Sequence, residues 1–404
     1  MSWSFNVTGE TGVGGSSHST RILFITSGLR IGGAENILLR LVVALESRGY
    51  RCGVISLTGE GEIAGDFRRS QIGVSCVNLR KPWRIAWDVP HLLRTVRSFR
   101  PDLLQGWMYH GNIAAIAAGT AVSRRAPVVW GVRQCVYDLA SENSSTRRVI
   151  RLSAKVSGRT AASVYPSRTS AMQHQKLGFR SRLSAIIPNG IDRHRLRPNP
   201  EIRTAVRGRL GLLPDHLVIG HVARFDPIKN HAGLVDAAAM LIVSIPMVRL
   251  VLVGPGVDNH NPVLLGWLEQ HRIMDKVLLL GSRNDVPELM AAFDVFCLPS
   301  ISEAFPNALA EAAACGLPCV ATDVGEAAAI VGDDGLLVPV RDHDGLVSAL
   351  RKALTWTASQ RSSVGMRLRH RVTERFSAEA MTDAFDGLYQ SVLAGHAFDP
   401  ATHS

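Results

Sequence analysis

The chain has 404 residues, of which 46% are hydrophobic and 20% charged, and this composition excludes a disordered chain. At roughly 150 residues per domain, the length excludes one small module and predicts two large domains or three small ones. The formal net charge of +11 favours partners that carry phosphate, and nucleic acid, anionic lipid and nucleotide substrates all stay open.

Neither a secretory leader nor a membrane span is predicted. Residues 1–19 are rich in Gly and Ser without a basic and then apolar pattern, so we expect a disordered tail. The longest uncharged run, 103–123, contains polar residues and three glycines, unlike a lipid-spanning helix. Six cysteines without CxxC or zinc-like spacing are expected to be free thiols. These features predict a cytoplasmic protein.

Short apolar runs alternate with stretches of helical period from residue 21 to about 355. This alternation predicts βαβ units and a doubly wound α/β fold. A first series of strands is predicted at 21–26, 52–57, 74–78, 103–106, 128–130, 163–165 and 184–187. A second series is predicted at 218–222, 249–253, 277–280, 295–298 and 319–322.

A segment rich in Pro, Arg and Asn, 188–214, separates the two series and is typical of a linker. We therefore expect an N-terminal domain over 20–187 and a C-terminal domain over 188–376, both Rossmann-like. The last helical stretch, 377–395, is expected to pack back on the N-terminal domain.

The first strand leads into a glycine pair, Gly32 and Gly33, followed by Glu35 and an amphipathic helix. Such a pair lets a phosphate or a sugar approach the backbone N–H groups of a helix N-terminus. The full GxGxxG spacing is absent, and a tight turn between strand and helix would also explain the glycines.

A second motif lies after the strand at 218–222, where Arg224 and Lys229 follow five residues apart. Two cations at the carboxyl end of a parallel strand can clamp a diphosphate, the Arg by its fork and the Lys as a point charge. A solvated loop is the alternative.

The strongest motif follows the strand at 295–298, with Glu303 in a loop and Glu311 in a helix. Pro306 suits the first turn of that helix, whose free N–H groups favour an anion. A carboxylate can accept hydrogen bonds from two vicinal hydroxyls, as on a ribose or a hexose. Alternatively, Glu303 only complements the helix dipole and Glu311 is a surface residue.

These motifs together resemble the GT4-type retaining glycosyltransferases of the GT-B fold. The pieces occur in that family's order: the Gly32 loop, Pro-Asn-Gly-Ile-Asp at 188–192, the Arg224 motif, and an EX7E pair followed by Ala-Cys-Gly-Leu-Pro-Cys-Val-Ala-Thr at 314–322. The resemblance covers about residues 20–395. It implies an N-terminal acceptor domain and a C-terminal nucleotide-sugar donor domain that face each other across a cleft.

Residue by residue, the resemblance implies that Arg224 and Lys229 hold the donor diphosphate. Glu311 would bind the ribose hydroxyls, and Glu303 would face the transferred sugar. His110, placed in a turn after a strand, resembles the family's active-site histidine. Further donor contacts are implied for Gly32, Gly33, Arg283, Ala304, Phe305, Pro306 and Asn307, and a weaker contact with a phosphate or the acceptor for Arg133.

No metal and no other cofactor is implied by the resemblance, since such enzymes use side-chain cations and helix N-termini to neutralise the leaving diphosphate. Asp342 and Asp344 spell the DxD metal signature of a different glycosyltransferase fold. Because they precede a helical stretch, we interpret them as its cap.

Two segments of the first domain combine cations with apolar side chains, as membrane-surface elements do. One runs from Arg80 to Trp87 and includes two Trp; the other is a predicted basic helix in which Arg147, Arg151, Lys155 and Arg159 recur every four residues. We expect peripheral attachment to the inner face of the plasma membrane. A solvated face in an Arg-rich chain is the alternative.

The sequence therefore predicts transfer of a sugar, with retention, from a nucleotide diphosphate sugar to a saccharide or lipid-linked acceptor in cell-envelope polysaccharide or glycolipid biosynthesis. A GT-B sugar epimerase or phosphorylase is the alternative enzyme. A nucleic-acid-binding protein fits the charge, but the chain has no RNP-type motif, zinc finger or separate basic domain, so no nucleic-acid partner is expected.

Overall fold

The computed structural model describes residues 19–121, 126–140 and 142–396. This part of the chain forms two parallel β-sheets with helices on both faces of each. The predicted doubly wound α/β fold is thereby confirmed. The tail predicted at 1–19 lies, apart from Ser19, outside the described residues.

The first sheet has seven strands in the order β3-β2-β1-β4-β5-β6-β7. All seven were predicted, with ends that shift by no more than two residues. Their bounds are β1 (Arg21–Thr26), β2 (Arg51–Ser56), β3 (Gly73–Cys76), β4 (Leu103–Trp107), β5 (Val128–Gly131), β6 (Ala162–Tyr165) and β7 (Leu183–Ile186).

The second sheet has six strands in the order β10-β9-β8-β11-β12-β13. The bounds are β8 (Leu217–Val222), β9 (Val248–Val253), β10 (Val277–Leu279), β11 (Val295–Leu298), β12 (Cys319–Thr322) and β13 (Leu336–Val338). Five of these were predicted. The edge strand β13 was missed because its three residues are too short an apolar run to register as a strand.

Helices connect the strands and cover both sheets. In the first half they are α1 (Gly33–Ser47), α2 (Ala64–Arg69), α3 (Ile85–Phe99), α4 (Met108–Ala121), α5 (Ser144–Val156) and α6 (Arg168–Lys176). In the second half they are α7 (Pro200–Arg209), α8 (His231–Ser244), α9 (Pro262–Gln270), α10 (Val286–Ala291), α11 (Asn307–Ala314), α12 (Ala327–Val331), α13 (His343–Thr355) and α14 (Ala358–Arg375), and α15 (Ala378–Ala394) ends the described chain.

Side chains of the central strands alternate between two buried faces, as a sheet covered on both sides requires. On β1, Ile22 and Phe24 join one core cluster while Leu23 and Ile25 join another. The near-continuous apolar runs that predicted the strands arise from this double burial.

The chain passes between the halves twice, first near Ile191 and again near Ser377, and these two crossings contact each other. The Ile191 N–H donates to the Phe376 carbonyl at 2.8 Å, and the Ala378 N–H donates to the Ile191 carbonyl at 2.9 Å. Beyond the second crossing, α15 packs on α1, and Tyr389 Oη donates to Gln105 Oε1 on β4 at 2.9 Å. The domain division near residue 187 stays a prediction.

The order of the strands decides where a ligand can enter. In the first sheet the strand order changes direction between β1 and β4, and in the second sheet it changes direction between β8 and β11. The connections on the two sides of each point therefore lead away from each other. A crevice opens outside the carboxyl ends of the strands at such a point. Most of the predicted site residues follow β1, β4, β8 and β11 and so gather at these two crevices, whereas Arg133 follows β5 and Arg283 follows β10.

Among residues 19–121, 126–140 and 142–396, no helix is both long enough and apolar enough to cross a lipid bilayer. The six cysteines are free thiols, as predicted, and four of them are buried.

Candidate functional site

The N-terminus of α11 lies at the centre of the candidate site. Pro306 stands at its N-cap with a non-helical ψ of 83°, and the helix begins at Asn307. Pro306 therefore precedes the first helical turn, which the sequence predicted it to occupy. No side-chain hydrogen bond caps this helix start in the described structure. The Asn307 N–H already donates to the Phe305 carbonyl at 2.9 Å, so the Ala308 N–H and the helix dipole are what this helix start offers to an anion.

The loop that precedes α11 is anchored by packing. Phe305 is buried, and its ring meets Phe376 edge to face at 5.4 Å between centroids. Gly325 has a φ of +57°, and a Cβ there would come within 2.7 Å of the Ala304 carbonyl oxygen. This close approach requires glycine, and it fixes the loop from the β12 side. Phe305 can offer a ligand only its backbone.

Lys229 and Glu303 form an ion pair that joins the two motifs of the second half. Lys229 Nζ lies 2.6 Å from Glu303 Oε1, and Ser300 Oγ donates to the same oxygen at 2.8 Å. The side chains of Lys229 and Glu303 are only 18% and 11% exposed. An ammonium group has three N–H donors, so Lys229 can hold Glu303 and still donate to a phosphate.

The two predicted arginines are engaged differently from Lys229. Arg224 makes two hydrogen bonds to Asp226 and its side chain is 62% exposed. Arg283 makes a matching pair of bonds to Asp285. The guanidinium group of each arginine is thus bonded to the aspartate two residues further along the chain. The Nη1 groups of both arginines are not used in these bonds, so each arginine can keep its aspartate and still donate to a phosphate.

Two helix N-termini face each other across the cleft. A Cβ on Gly33, the first residue of α1, would lie 2.9 Å from Asn307 Nδ2 at the start of α11. Gly32 is the N-cap of α1. Asn189, in the first crossing, donates from Nδ2 to Asn307 Oδ1 at 2.9 Å. The positive ends of both helix dipoles therefore meet in one place, which suits a phosphate group.

Glu311 lies one helical turn beyond Asn307 and also faces the first half. Its Oε1 is 3.8 Å from Arg40 Nη2 on α1. Burial raises the pKa of Glu311, and the charges of Arg40 and Arg195 oppose that rise. This partly buried position at the contact between the halves disfavours the alternative of an ordinary surface residue.

His110 lies in the first turn of α4, so its prediction in a turn was wrong. β4 passes directly into α4 at Met108, whose φ of +63° makes the bend sharp. A Cβ on Gly111 would come within 2.2 Å of the Ile25 carbonyl oxygen, so α4 rests against β1. Partial burial, and secondly the charge of Arg80, lower the pKa of His110. Neutral imidazole is thus favoured at the carboxyl edge of the sheet.

Arg133 lies beneath the first crossing. It is buried, its guanidinium stacks on the Trp107 ring at 4.4 Å, and Nη1 donates to Asn189 Oδ1 at 3.2 Å. Burial lowers the pKa of Arg133 to about 9. Its structural contact is with the segment that holds Asn307, so a direct contact with phosphate or acceptor stays a prediction.

Several residues at the site were missed by sequence reasoning. Arg40 follows Gly33 by seven residues, two helical turns, so the spacing alone puts both on one face of α1. Asn189 lies in the quoted Pro-Asn-Gly-Ile-Asp motif but had no assigned role. Glu326 accepts a hydrogen bond from the Arg168 N–H at the start of α6 at 3.0 Å, a further contact between the halves. No sequence signal pointed to that contact.

The part of the chain that the structure describes contains no cluster of three or more His, Cys, Asp or Glu able to hold a metal ion. The Asp342 side chain accepts a hydrogen bond from the Gly345 N–H at 2.9 Å and caps α13. The interpretation of the DxD sequence as a helix cap is confirmed.

Comparison with known proteins agrees with this arrangement. Residues 31–195 match the family described as Glycosyltransferase Family 4, and residues 216–355 match Glycosyl transferases group 1. The chain belongs to the GT4-type glycosyltransferases.

Two curated relatives illustrate this family. The chain is 34% identical over 170 residues to UDP-Gal:alpha-D-GlcNAc-diphosphoundecaprenol alpha-1,3-galactosyltransferase of Escherichia coli, covering 41% of this chain and 44% of the relative. It is 31% identical over 192 residues to N-acetyl-alpha-D-glucosaminyl L-malate synthase of Bacillus anthracis, covering 47% and 49%. The match spans less than half the length of each relative.

Solved structures match over nearly the whole chain. Anabaena Alr3699/HepE in complex with UDP-glucose superposes with a TM-score of 0.81 at 23% identity, covering 92% of this chain and 99% of that one. WaaG, a glycosyltransferase involved in lipopolysaccharide biosynthesis, gives a TM-score of 0.71 at 20% identity, covering 91% and 100%. The GT-B fold of this family member is therefore confirmed. The roles of the individual site residues stay predictions.

A buried histidine pair supports the Lys229 loop of this GT4-type protein. His221 ends β8 and His231 begins α8, and their rings meet at 4.9 Å between centroids. His221 Nδ1 lies 2.9 Å from the Cys297 carbonyl oxygen. Burial lowers the pKa of His221 to about 3 and that of His231 to about 4, and the charge of Lys229 adds to both shifts. Both rings are neutral in the folded protein at pH 7.

This pair predicts a loss of stability in mild acid. Below about pH 6.5 the unfolded chain takes up protons that the folded chain refuses, so the free energy of unfolding falls until about pH 4. Between about pH 7 and about pH 5, each histidine contributes a loss of about 2 kcal/mol. His231→Phe keeps the packing on Phe225 and should reduce the loss measured by urea unfolding by about 2 kcal/mol, while His221 and the buried His174, whose pKa burial lowers to about 4, keep their contributions.

His260→Gln, at an exposed position, is the matched control and should leave the pH dependence unchanged. A wild type equally stable at both pH values, or a His231→Phe variant with the wild-type pH dependence, would contradict the assignment.

Proposed function

We propose that the protein transfers a sugar from a nucleotide diphosphate sugar to a saccharide or lipid-linked acceptor, with retention, in cell-envelope polysaccharide or glycolipid biosynthesis. The observation that carries this proposal is the meeting of the α1 and α11 N-termini beside the Lys229–Glu303 pair. The names of the relatives support it, since the Escherichia coli protein is named for a UDP-Gal donor and a diphosphoundecaprenol acceptor. HepE was solved with UDP-glucose.

The proposed mechanism neutralises the leaving diphosphate with protein groups. The N–H groups at the start of α11 and the Lys229 ammonium would meet the negative charge that develops as the bond to the sugar breaks. Glu311 would accept hydrogen bonds from the two ribose hydroxyls. We expect no metal requirement, because these groups supply the positive charge.

The sugar itself would lie near Glu303 and His110. Glu303 Oε1 already accepts from Lys229 and Ser300, so this oxygen suits binding to sugar hydroxyls more than attack on the anomeric carbon. We therefore propose front-face transfer, in which the leaving phosphate takes the proton of the incoming hydroxyl. Neutral His110 would contact the reacting sugar. A trapped glycosyl adduct on Glu303 would overturn this mechanism.

The alternative functions gain no support. The relatives and structures named above are not described as epimerases, phosphorylases or nucleic-acid-binding proteins.

Thermal unfolding against UDP-, GDP-, ADP- and dTDP-sugars in the presence of EDTA tests the donor site. One class should raise the midpoint, because a ligand that binds only the folded state stabilises it by about 2.7 kcal/mol at 100 times its Kd. Lys229→Ala and Glu311→Ala should lose the shift. Lys276→Ala, which removes a surface pair with Asp275, should keep it.

If no nucleotide sugar stabilises the wild type while single-stranded RNA does, the transferase proposal fails. A shift retained in both site variants would place the nucleotide elsewhere.

We further propose that the first half attaches to an anionic membrane surface. Trp83 and Trp87 are 71% and 78% exposed at the start of α3. Arg151 and Lys155 are exposed on α5, whose Ile150 is buried in the same core cluster as Leu92, Val96 and Phe99 of α3. The aromatic and the basic segments therefore lie on one face of the sheet, an arrangement suited to the lipid interface.

Sedimentation with phosphatidylglycerol vesicles tests this attachment. The wild type should bind, with added salt weakening the binding, and Trp83→Ala/Trp87→Ala should reduce it by roughly tenfold because interfacial aromatic area is lost. Val243→Ala removes an apolar side chain that is also exposed, on α8, and should have no effect. Equal binding to phosphatidylcholine vesicles, or none to either, would contradict attachment through this face.

A further inference from the structure

The Arg40 side chain, on α1 of the first half, contacts both the first crossing and α11 of the second half. Nη1 donates to the Gly190 carbonyl oxygen at 2.8 Å, and Nη2 lies 3.8 Å from Glu311 Oε1. The two side chains are 27% and 24% exposed, so water screens their interaction only in part. One guanidinium thus links α1, the first crossing of the chain, and α11.

The anchor point of Arg40 is itself rigid. A Cβ on Gly190 would lie 2.6 Å from the Ala378 Cα, so the two crossings touch backbone to backbone. The Gly190 N–H donates to Met381 Sδ at 3.2 Å. A guanidinium bound to such a carbonyl has little freedom to turn away. The hydrogen bond from Nη1 to Gly190 therefore holds Nη2 toward Glu311, independently of any bond to Glu311 itself.

Few other charged groups surround Glu311. Arg195, which follows the first crossing, also lowers the pKa of Glu311, but by less than Arg40 does. Arg369 on α14 binds the carbonyls of Ala314 and Leu196. Cys315, next along α11, is neutral, because burial raises the pKa of its thiol to about 12. Arg40 is thus the leading positive influence on a carboxyl group that burial drives toward its neutral form.

We propose that Arg40 is a positioning residue of the donor site: it keeps Glu311 charged and aimed at the ribose, and so makes nucleotide binding depend on contact between the two halves. This inference rests on the proposed function, which assigns the ribose to Glu311. A carboxylate can accept from both ribose hydroxyls, whereas a protonated carboxyl group keeps only one full acceptor oxygen.

The consequence is a pH dependence with a definite sign. Removing Arg40 removes the charge that lowers the pKa of Glu311, so protonation begins at a higher pH in the variant than in the wild type. Nucleotide binding should then weaken as the pH falls. A purely structural contribution of Arg40 would weaken binding equally at every pH.

The test is the Kd of the nucleotide sugar that stabilises the wild type, measured by titration calorimetry from about pH 8.5 to about pH 6. Arg40→Met should weaken binding by a factor that grows by about threefold or more from the higher pH to the lower one, and Arg40→Lys should restore most of the affinity. Arg48→Met is the matched control, since Arg48 lies on the same helix but pairs with Asp383 and Asp386 of α15. It should bind like the wild type throughout.

In a Glu311→Gln background, Arg40→Met should add no pH dependence, because no titrating carboxyl remains. Loss of affinity by the same factor at all pH values, or wild-type affinity in Arg40→Met, would overturn the assignment while leaving the proposed function intact. Failure of every nucleotide sugar to bind the wild type would overturn both. Thermal midpoints of the variants without ligand show whether each is folded.

Discussion

The approach of α11 to α1 depends on two residues of the first crossing, Asn189 and Gly190. Asn189 bonds to Asn307, the first residue of α11, and is itself held by the buried Arg133. Gly190 allows the two crossings to touch, and its carbonyl anchors Arg40. Because Asn307 and Glu311 are one turn apart, these bonds fix the face of α11 that lines the cleft. A change at the crossing would therefore alter the donor site without touching a ligand.

The charges in the cleft are arranged so that a diphosphate has one favourable place. Arg224 and Arg283 are paired with neighbouring aspartates near the surface, while Lys229 is enclosed and shares Glu303 with Ser300. Two helix N-termini add partial positive charge in the same region. An anion that enters gains these interactions at α11 and Lys229, whereas at the start of α1 it meets the Glu35 carboxylate, which accepts a hydrogen bond from its own backbone.

Features encoded locally were predictable from the sequence, and features that need distant contacts were not. Double burial gives continuous apolar runs, so twelve strands were found, whereas the three-residue edge strand β13 was too short. His110 was placed in a turn because nothing in the sequence shows that Met108 adopts a φ of +63° and starts a helix. The role of Arg40 was not predicted, because its partner Glu311 lies on α11 in the other half of the chain. The burial of Arg133 depends on Trp107 and Phe385, which are far apart in sequence.

The crystal structure of the protein with a stabilising nucleotide sugar tests the central claim most directly. We expect the diphosphate within hydrogen-bond distance of the Ala308 N–H and of Lys229 Nζ, with the ribose hydroxyls on Glu311. A diphosphate bound instead outside the cleft, with the α11 N-terminus and Lys229 free of it, would contradict the account.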